Sequence, residues 1–406
     1  MKTKLLSLAV SSALSSLFSP CHAAADGDSA IVLGEVAVRG QAGGPLPTHS
    51  ILTSVDILGG DKVQDKNVMN SWELIGQMPG IQLTETRMGA ESGKATFRAF
   101  NGEGYINGIK VLIDGIPSNV NSGNQRFIDM IFPLDIEYIE VVRGTNDPRY
   151  GLHNIGGNIN LVTRQGGNYS DGRLTFGSFN TRELQVALGR ESDGWSQSYF
   201  FARQDSDGHR DHSGSEKYSA SAKWFYTPAG ADLTAGVIVR AYSHQAEEPG
   251  FLTASELAAS RSQSAAKNAR DGDDRDMKHV SAHLDWQLNP ATALSTKLYF
   301  NTYTDDRKVT FTSNPAGSAP RQRRMWDEDQ TGLMTTLTWR ASDALVIDGG
   351  FNVEHQDNRY RRYRYAYASP TDFSTPASTS NDDSYTLRNL GAYVQAVIKP
   401  IDSLKI

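Results

Sequence analysis

The sequence predicts a small α+β domain followed by an antiparallel transmembrane β-barrel. From about residue 170 onward, strand-like segments alternate strictly between apolar and polar residues, which gives each strand one apolar and one polar face. The connections between these segments alternate between short and long, as they do in outer-membrane barrels. The preceding stretch mixes helical and strand patterns. A soluble β-sandwich is the alternative, although a sandwich rarely has such asymmetric loops.

The composition of the chain narrows the classes of protein to consider. Its 406 residues are enough for two or more domains, and its formal net charge of −6 argues against a nucleic-acid partner. No run of ~18 apolar residues follows the first twenty, so we expect no transmembrane helix. Transmembrane strands are short and alternate in polarity, so this composition is compatible with a membrane barrel.

The first 23 residues have the pattern of a cleaved secretory signal peptide. Lys2 and Lys4 give a positively charged start, residues 5–18 give an apolar core interspersed with Ser, and residues 21–23 offer a small-residue cleavage site. Cleavage would remove Cys21, the only cysteine, so the exported protein would have no disulfide in an oxidising compartment. We therefore expect a large closed sheet to stabilise it. A lipoprotein signal at Cys21 is the weaker alternative.

Residues 24–50 are rich in Ala, Gly, Asp and Pro, and they contain one apolar island at residues 31–40. We interpret this stretch as a flexible leader with one short extended segment. The segment is either a frayed strand or a peptide that pairs with the edge of a partner's sheet.

Residues 51–166 are predicted to form the α+β domain. Val68, Trp72 and Ile75 have helical spacing, and the Pro79-Gly80 pair ends that helix. Turn signals such as Asp114-Gly115 bound an apolar run and predict a hairpin. The strands predicted here are Ile109–Ile113, 136–142 and 158–163.

The rest of the chain, residues 167–406, is predicted to form the N-terminal part of the barrel. In residues 281–288, for example, Ala, Leu, Trp and Leu share one face and Ser, His, Asp and Gln share the other. Long polar loops are expected at about 244–277, 305–330 and 356–386. About ten strands can be counted, with an eleventh starting near residue 403. An open sheet would leave unpaired edges in lipid, so we expect the sequence to be a fragment of a longer receptor.

Four motifs carry a family resemblance. The stretch 136–164, IEYIEVVRGTNDPRYGLHNIGGNINLVTR, resembles the plug signature of TonB-dependent outer-membrane transporters. MPGIQL (78–83), FRAFNG (97–102) and VLIDGIP (111–117) resemble further motifs of that family, in the family's order. Tyr138, Ala99 and the Thr145-Asn146 pair depart from the usual pattern. The resemblance implies a plug domain over 51–166 inside a barrel that has 22 strands in the family, and a receptor of the ferric-siderophore type.

The resemblance also implies partners and internal contacts. The segment GEVAVRG resembles the TonB box, which would add as a strand to the periplasmic TonB protein. Its residues are Gly34, Glu35, Val36, Ala37, Val38 and Arg39. Arg98 and Arg143 stand at the motif arginines that pair with barrel-wall carboxylates in the family, and Glu140 is assigned to the same plug–barrel contacts. The alternative for these side chains is a solvated position on the plug surface.

Ligand-binding candidates combine Arg with aromatic residues in predicted outer loops. They are Arg87 and Arg126 in the plug, and Arg324, Trp326, Tyr360 and Tyr363 in the barrel. Guanidinium groups and aromatic faces suit an anionic, ring-bearing metal chelate, which favours a ferric siderophore. Cobalamin, haem and other metal chelates are alternative ligands, and contact with lipopolysaccharide is the alternative role for such loops.

Other motifs are given structural interpretations. The glycine-rich loop at 151–157 lacks the ending of a phosphate-binding loop and is expected to form tight turns. HRDH at 209–212 and DGDDRD at 271–276 contain metal-ligand types, but we interpret them as outer loops. No catalytic motif is present, so we expect a transporter in the outer membrane of a Gram-negative bacterium, with no resident cofactor or metal. A passive porin or adhesin is the less favoured function.

Overall fold

The computed structural model describes residues 54–84, 93–97, 107–144, 149–310, 321–365, 373 and 376–401. The predicted signal peptide, the leader with its TonB box, and the predicted site residues Arg87 and Arg98 lie outside these described residues. All described residues belong to one compact unit, Gly40–Ile406.

The first domain is built around a five-stranded sheet in the order β1-β6-β7-β4-β5, with β4 and β7 parallel and the other neighbours antiparallel. β2 and β3 pair with each other as a separate antiparallel sheet. The strands are β1 (Ser54–Gly59), β2 (Gln82–Thr84), β3 (Lys94–Thr96), β4 (Ile109–Ile113), β5 (Ile116–Pro117), β6 (Ile136–Arg143) and β7 (Gly157–Thr163). The helices are α1 (Gly60–Gln64), α2 (Ser71–Ile75) and the 3-10 helices Arg126–Met130 and Pro133–Asp135.

The predicted elements of this domain are confirmed. Helix α2 buries Trp72 and Ile75, two of the residues whose spacing predicted it. The β4–β5 hairpin turns at Asp114 (φ 52°) and Gly115 (φ 73°), the pair of positive φ angles that an Asp-Gly hairpin turn requires. In the glycine-rich loop, Gly157 has φ 128°, and a Cβ there would clash with the carbonyl oxygen of Val142 on the neighbouring strand. The loop is therefore a turn packed against a strand.

The second region is a ten-stranded antiparallel sheet in chain order. Its strands are β8 (Tyr169–Phe176), β9 (Arg182–Ser192), β10 (Trp195–Ser206), β11 (Ser215–Tyr226), β12 (Leu233–Glu247), β13 (Gly272–Asn289), β14 (Thr292–Thr310), β15 (Arg321–Ser342), β16 (Leu345–Tyr365) and β17 (Ser378–Ile398). One helix, α3 (Ala254–Ala259), lies in the connection between β12 and β13. The connections at one end have two to six residues (193–194, 227–232, 290–291 and 343–344), and those at the other end run from five residues at 177–181 to twenty-four at 248–271.

The expected extent of the long loops is wrong, because the strands run further. The sequence predicts loops at about 244–277, 305–330 and 356–386, but strands extend to 247, 310 and 365 and resume at 272, 321 and 378. A membrane strand needs only ~9–11 residues to cross a bilayer. Strands β13–β17 have 18 to 22 residues. At the end of the sheet that carries the longer connections, they continue as paired strands whose polar composition resembles that of loops. The predicted loop residues Arg324, Trp326, Tyr360 and Tyr363 therefore lie in β15 and β16.

The two faces of the ten-stranded sheet have opposite character. We call the face that contacts the first domain the inner face, and its opposite the outer face. Apolar side chains on the outer face are exposed, as shown by Leu390 at 78% and Val394 at 80%. The inner face buries polar and charged side chains, including Gln185, Lys223, Arg240, Arg275 and His279. This confirms the predicted alternation and matches a sheet with lipid on one side and protein on the other.

Among the described residues, no helix has the length and apolarity needed to cross a membrane.

Candidate functional site between the first domain and the ten-stranded sheet

The first contact joins the β4–β5 turn to the sheet. Asp114 at that turn is buried, and its carboxylate accepts hydrogen bonds from the backbone N–H and the hydroxyl of Thr163, each at 2.8 Å. Arg240 of β12 forms a salt bridge with this carboxylate and donates to Thr163 Oγ1 at 2.8 Å. Burial raises the pKa of the carboxyl, but Arg240, Lys223 and the Thr163 hydrogen bonds outweigh it and lower the pKa to about 2. The carboxylate is therefore charged at neutral pH.

A second buried contact lies beside the first. Lys223 of β11 donates from its ammonium group to Asp135 Oδ1 at 2.7 Å and to the backbone carbonyl of Arg164 at 2.8 Å. Both side chains of this pair are almost fully buried. Burial raises the pKa of the Asp135 carboxyl, and the charge on Lys223 opposes that rise. The two contacts together fix one end of the first domain to β11 and β12, and we call them the inner anchors.

A third contact centres on Arg275 of β13, whose side chain is fully buried. Its guanidinium lies 3.0 Å from Asp129 of the first domain and 2.9 Å from Asp273 on its own strand. Asp129 also accepts a hydrogen bond of 2.6 Å from the indole N–H of Trp72 in α2. Buried charges of this kind are tolerated only when they are paired, so this contact holds α2 and the 3-10 helix at Arg126–Met130 against the sheet.

Arg126, at the start of that 3-10 helix, faces an aromatic and acidic patch of the inner face. Its Nη1 lies 3.3 Å from a carboxylate oxygen of Asp305, and its guanidinium carbon lies 5.9 Å from the ring centre of Tyr303 and 6.0 Å from that of Trp326. Trp326 in turn lies 5.2 Å from the ring of Tyr360. Asp305, Trp326 and Tyr360 stand directly opposite one another across β14, β15 and β16. We call Arg126 and these four residues the Arg126 cluster.

The structure brings together some of the predicted ligand-binding residues and separates others. Arg126, Trp326 and Tyr360 meet in one cluster. Arg324 lies two residues from Trp326 on the same face of β15, where it donates to a neighbouring Gln side chain at 3.0 Å. Tyr363 lies three residues beyond Tyr360 in β16, so it faces the outer side and does not line the same surface. Tyr360 and Tyr363 face opposite sides because they lie in a strand, where side-chain direction alternates from one residue to the next.

Arg143 and Glu140, the other residues predicted to contact the barrel wall, both lie in β6 of the first domain. Arg143 at the end of β6 forms a salt bridge with Asp56, and it donates to Ser54 Oγ at 2.9 Å and to the carbonyl of Pro79 at 2.6 Å. These three partners belong to the first domain. Glu140 is buried in the same strand. Their assignment to contacts with the barrel wall stays a prediction.

Several residues of the site were not predicted. Arg240, Lys223, Arg275 and Asp305 occupy polar-face positions of alternating strands, and each is buried against the first domain. A charged residue on the polar face of a strand is the sequence feature that could have identified them, because a membrane strand places its polar face toward protein or water. Their partners Asp114, Asp129 and Asp135 gave no such signal, since acidic residues in turns are ordinary.

The motif HRDH joins two loops. The Arg210 guanidinium donates to the backbone carbonyls of Gly250 at 2.6 Å, Gln263 at 2.9 Å and Pro249 at 3.2 Å. A ring nitrogen of His212 lies 2.7 Å from the carbonyl oxygen of Asp271. The motif therefore ties the connection after β10 to the long connection after β12. Within the described ranges, no three His, Cys, Asp or Glu side chains are arranged to hold a metal ion.

Residues 47–158 match the family model of the TonB-dependent receptor plug domain. The chain carries the plug domain of TonB-dependent receptors. The first domain is therefore the plug, and the resemblance stated from the motifs is confirmed. The inner anchors join the plug to a sheet that matches the barrels of these receptors.

Curated relatives and solved structures support the same assignment. A ferric enterobactin receptor of Pseudomonas aeruginosa is 31% identical over 192 residues, which are 43% of this chain and 24% of that protein. The vitamin B12 transporter BtuB of Vibrio vulnificus is 25% identical over 164 residues, 40% of this chain and 26% of that protein. The unliganded ferric citrate transporter FecA matches with a TM-score of 0.69 and 15% identity, over 87% of this chain and 61% of that chain. The pyoverdine receptor FpvA of Pseudomonas aeruginosa, bound to pyoverdine, matches with a TM-score of 0.69 and 16% identity, over 86% of this chain and 55% of that chain.

These matches differ in what they establish. The solved structures are under 25% identical, so they show the fold: a plug and a large antiparallel sheet. The matched regions span about a quarter of the length of the curated relatives. The relatives are transport receptors, and their printed names divide between siderophores and vitamin B12.

Proposed function

We propose that this protein imports a ferric siderophore across the outer membrane of a Gram-negative bacterium, driven by the TonB protein. The ligand binds to the plug and to the outer ends of the barrel strands. TonB then pulls on residues 34–39 and rearranges the plug so that the ligand can pass. The iron chelate is cargo, and in this proposal the protein has no catalytic activity and no resident cofactor. The predicted signal peptide, residues 1–23, directs export.

The observation that carries this proposal is the Arg126 cluster. Arg126 belongs to the plug, whereas Trp326 and Tyr360 belong to the barrel sheet, so a ligand bound there would contact both parts. A guanidinium beside aromatic rings suits an anionic chelate with planar groups. The match to the ferric enterobactin receptor supports the same ligand class.

Binding is tested by fluorescence quenching of the protein purified from outer membranes. The panel contains an anionic ferric tris-catecholate, a neutral ferric trihydroxamate, haem and cobalamin. We expect a ferric chelate to quench at submicromolar concentration, and failure of every ferric chelate to bind would contradict the proposal. Binding of cobalamin alone would favour the second candidate, vitamin B12 uptake, which the match to BtuB supports.

Energy coupling is tested by deleting Gly34–Arg39. We expect uptake of radiolabelled iron chelate to stop while binding to whole cells is retained, because backbone pairing with TonB needs this segment and ligand binding does not. A matched control deletes six residues of the leader outside the island, at 41–46. A passive porin or adhesin predicts unchanged uptake in both variants, and that result would contradict the TonB-driven mechanism.

A further inference from the structure

The Arg126–Asp305 pair makes no direct hydrogen bond, whereas the inner anchors and the Arg275–Asp129 pair each make one. Arg126 Nη1 lies 3.3 Å from Asp305, yet this buried atom has no hydrogen-bond partner among the described residues. The Arg126 side chain also keeps 15% of its surface exposed, whereas the Arg240 side chain keeps 2%. Arg126 is therefore attracted to Asp305 without being fully bound by it.

Asp305 has other partners that hold it in place without Arg126. The hydroxyl of Tyr303 donates to Asp305 Oδ2, and Arg275 Nε lies 3.7 Å from the same oxygen. Removing Arg126 from Asp305 would thus leave the carboxylate with a hydrogen bond and a nearby positive charge. Arg126, in contrast, would lose its ion pair if Asp305 were removed, because Asp305 is its one ion-pair partner among the described residues.

We infer that Asp305 is an internal competitor that occupies Arg126 until an anionic ligand displaces it, and that it thereby sets the charge specificity of the site. The inference rests on the proposed function. A bidentate oxyanion would offer Arg126 the hydrogen bonds that Asp305 does not make, and the partly exposed Trp326 and Tyr360 rings would remain to contact planar groups of the ligand. The ligand class is an anionic aromatic chelate, and a neutral chelate could not displace the carboxylate.

The experiment compares the affinities of one anionic and one neutral chelate for variants of Asp305. Asp305→Asn removes the competing charge and keeps the side-chain shape. We expect it to bind the ferric tris-catecholate about tenfold more tightly, a change of about 1.4 kcal/mol, with no gain for the neutral ferric trihydroxamate. The matched control is Asp306→Asn, which removes the next carboxylate along β14, paired with Arg323 at 2.6 Å on the outer face. That control should leave both affinities unchanged.

A second variant, Tyr303→Phe, tests the inference independently in case Asp305→Asn does not fold. Tyr303→Phe keeps the ring but removes the hydroxyl that binds Asp305, so the carboxylate should hold Arg126 more strongly. We expect the tris-catecholate to bind a few-fold more weakly to Tyr303→Phe, the opposite sign to Asp305→Asn. Unchanged or weaker binding by folded Asp305→Asn, or tighter binding by Tyr303→Phe, would overturn the inference.

The wild-type titrations separate this inference from the proposed function. If wild-type protein binds only the neutral chelate, the siderophore proposal stands and the role of Asp305 is overturned. If wild-type protein binds neither ferric chelate, the proposed function fails and the inference fails with it. Tight binding of the tris-catecholate that increases in Asp305→Asn alone supports both.

Discussion

The inner anchors and the Arg126 cluster both join the plug to the ten-stranded sheet by ion pairs, but these pairs differ in hydrogen bonding and in exposure. In the anchors, both oxygens of the Asp114 carboxylate accept hydrogen bonds, and Lys223 donates to two acceptors at 2.8 Å or less. In the cluster, Arg126 lies 3.3 Å from Asp305 with no hydrogen bond between the two side chains, and the Arg126 side chain is 15% exposed. A buried pair joined by hydrogen bonds holds the plug in one position, whereas we propose that a partly exposed pair without such a bond exchanges its partner for a ligand.

The positions of the two groups fit this division. In the anchors, Asp114 lies in the β4–β5 turn and Asp135 ends the 3-10 helix just before β6, so both residues adjoin strands of the buried plug sheet. The cluster consists of Arg126, at the start of the 3-10 helix Arg126–Met130, and of residues in the parts of β14, β15 and β16 nearest the longer connections. The ends of these strands that carry the longer connections are the ends we assign to the ligand side. The exchange that we propose is therefore limited to the Arg126 side chain, because Asp129 in the same short helix is held by Arg275.

The largest effect is expected from removing the arginine of an inner anchor. Arg240→Ala would leave the Asp114 carboxylate buried and without its ion-pair partner, which costs roughly 3–5 kcal/mol in comparable pairs. The measurement is urea unfolding of the plug in the detergent-solubilised receptor, followed by hydrogen exchange of the β4 amides. The matched control is Arg203→Ala, which breaks an outer-face pair with Glu216 whose side chains are 48% and 37% exposed, and should cost about 0–1 kcal/mol. Equal losses in the two variants would contradict the distinction between anchors and surface pairs.

The elements of the plug could be predicted because local signals and tertiary structure agree. Asp114-Gly115 is a hairpin turn by its own conformational preference, and α2 follows from the spacing of its buried residues. The faces of the barrel strands followed from alternation alone. The ends of the strands could not be predicted in this way. β14, β15 and β16 continue beyond their apolar segments into stretches that have the polar composition of loops.

The candidate site was predicted in part. Arg126, Trp326 and Tyr360 were selected by residue type, and the structure brings Arg126 together with two residues that lie 200 or more positions later in the sequence. Tyr363 was selected by the same criterion but lies on the other face, since register within a strand decides side-chain direction. Asp305 could not be selected, because its role depends on a plug residue that is distant in sequence.

The next effect in size is a dependence of stability on pH. The Asp114 carboxyl has a pKa of about 2 in the folded protein, below the ~3.9 of an unfolded Asp, so its charged form stabilises the fold. This stabilisation, roughly 2–3 kcal/mol, is fully present above pH ~4 and is lost as the pH falls through the folded pKa. The measurement is the difference in plug unfolding free energy between wild type and Asp114→Asn from pH 7 to pH 2. We expect the difference to shrink toward acid pH, and a difference that stays constant would contradict the assigned charge state.

The smallest effect is expected at the link between Asp129 and α2. Trp72→Phe keeps a buried aromatic ring but removes the indole N–H that donates to Asp129 at 2.6 Å. A hydrogen bond to a charged group contributes about 1.5–3 kcal/mol, and Arg275 still pairs with Asp129 at 3.0 Å, so the loss should fall at the lower end of that range. The control is Trp286→Phe, on the outer face of β13 and 44% exposed, which should leave plug unfolding unchanged. If Trp72→Phe instead destabilised the plug as much as Arg240→Ala, the Asp129 contact would have to be counted among the anchors.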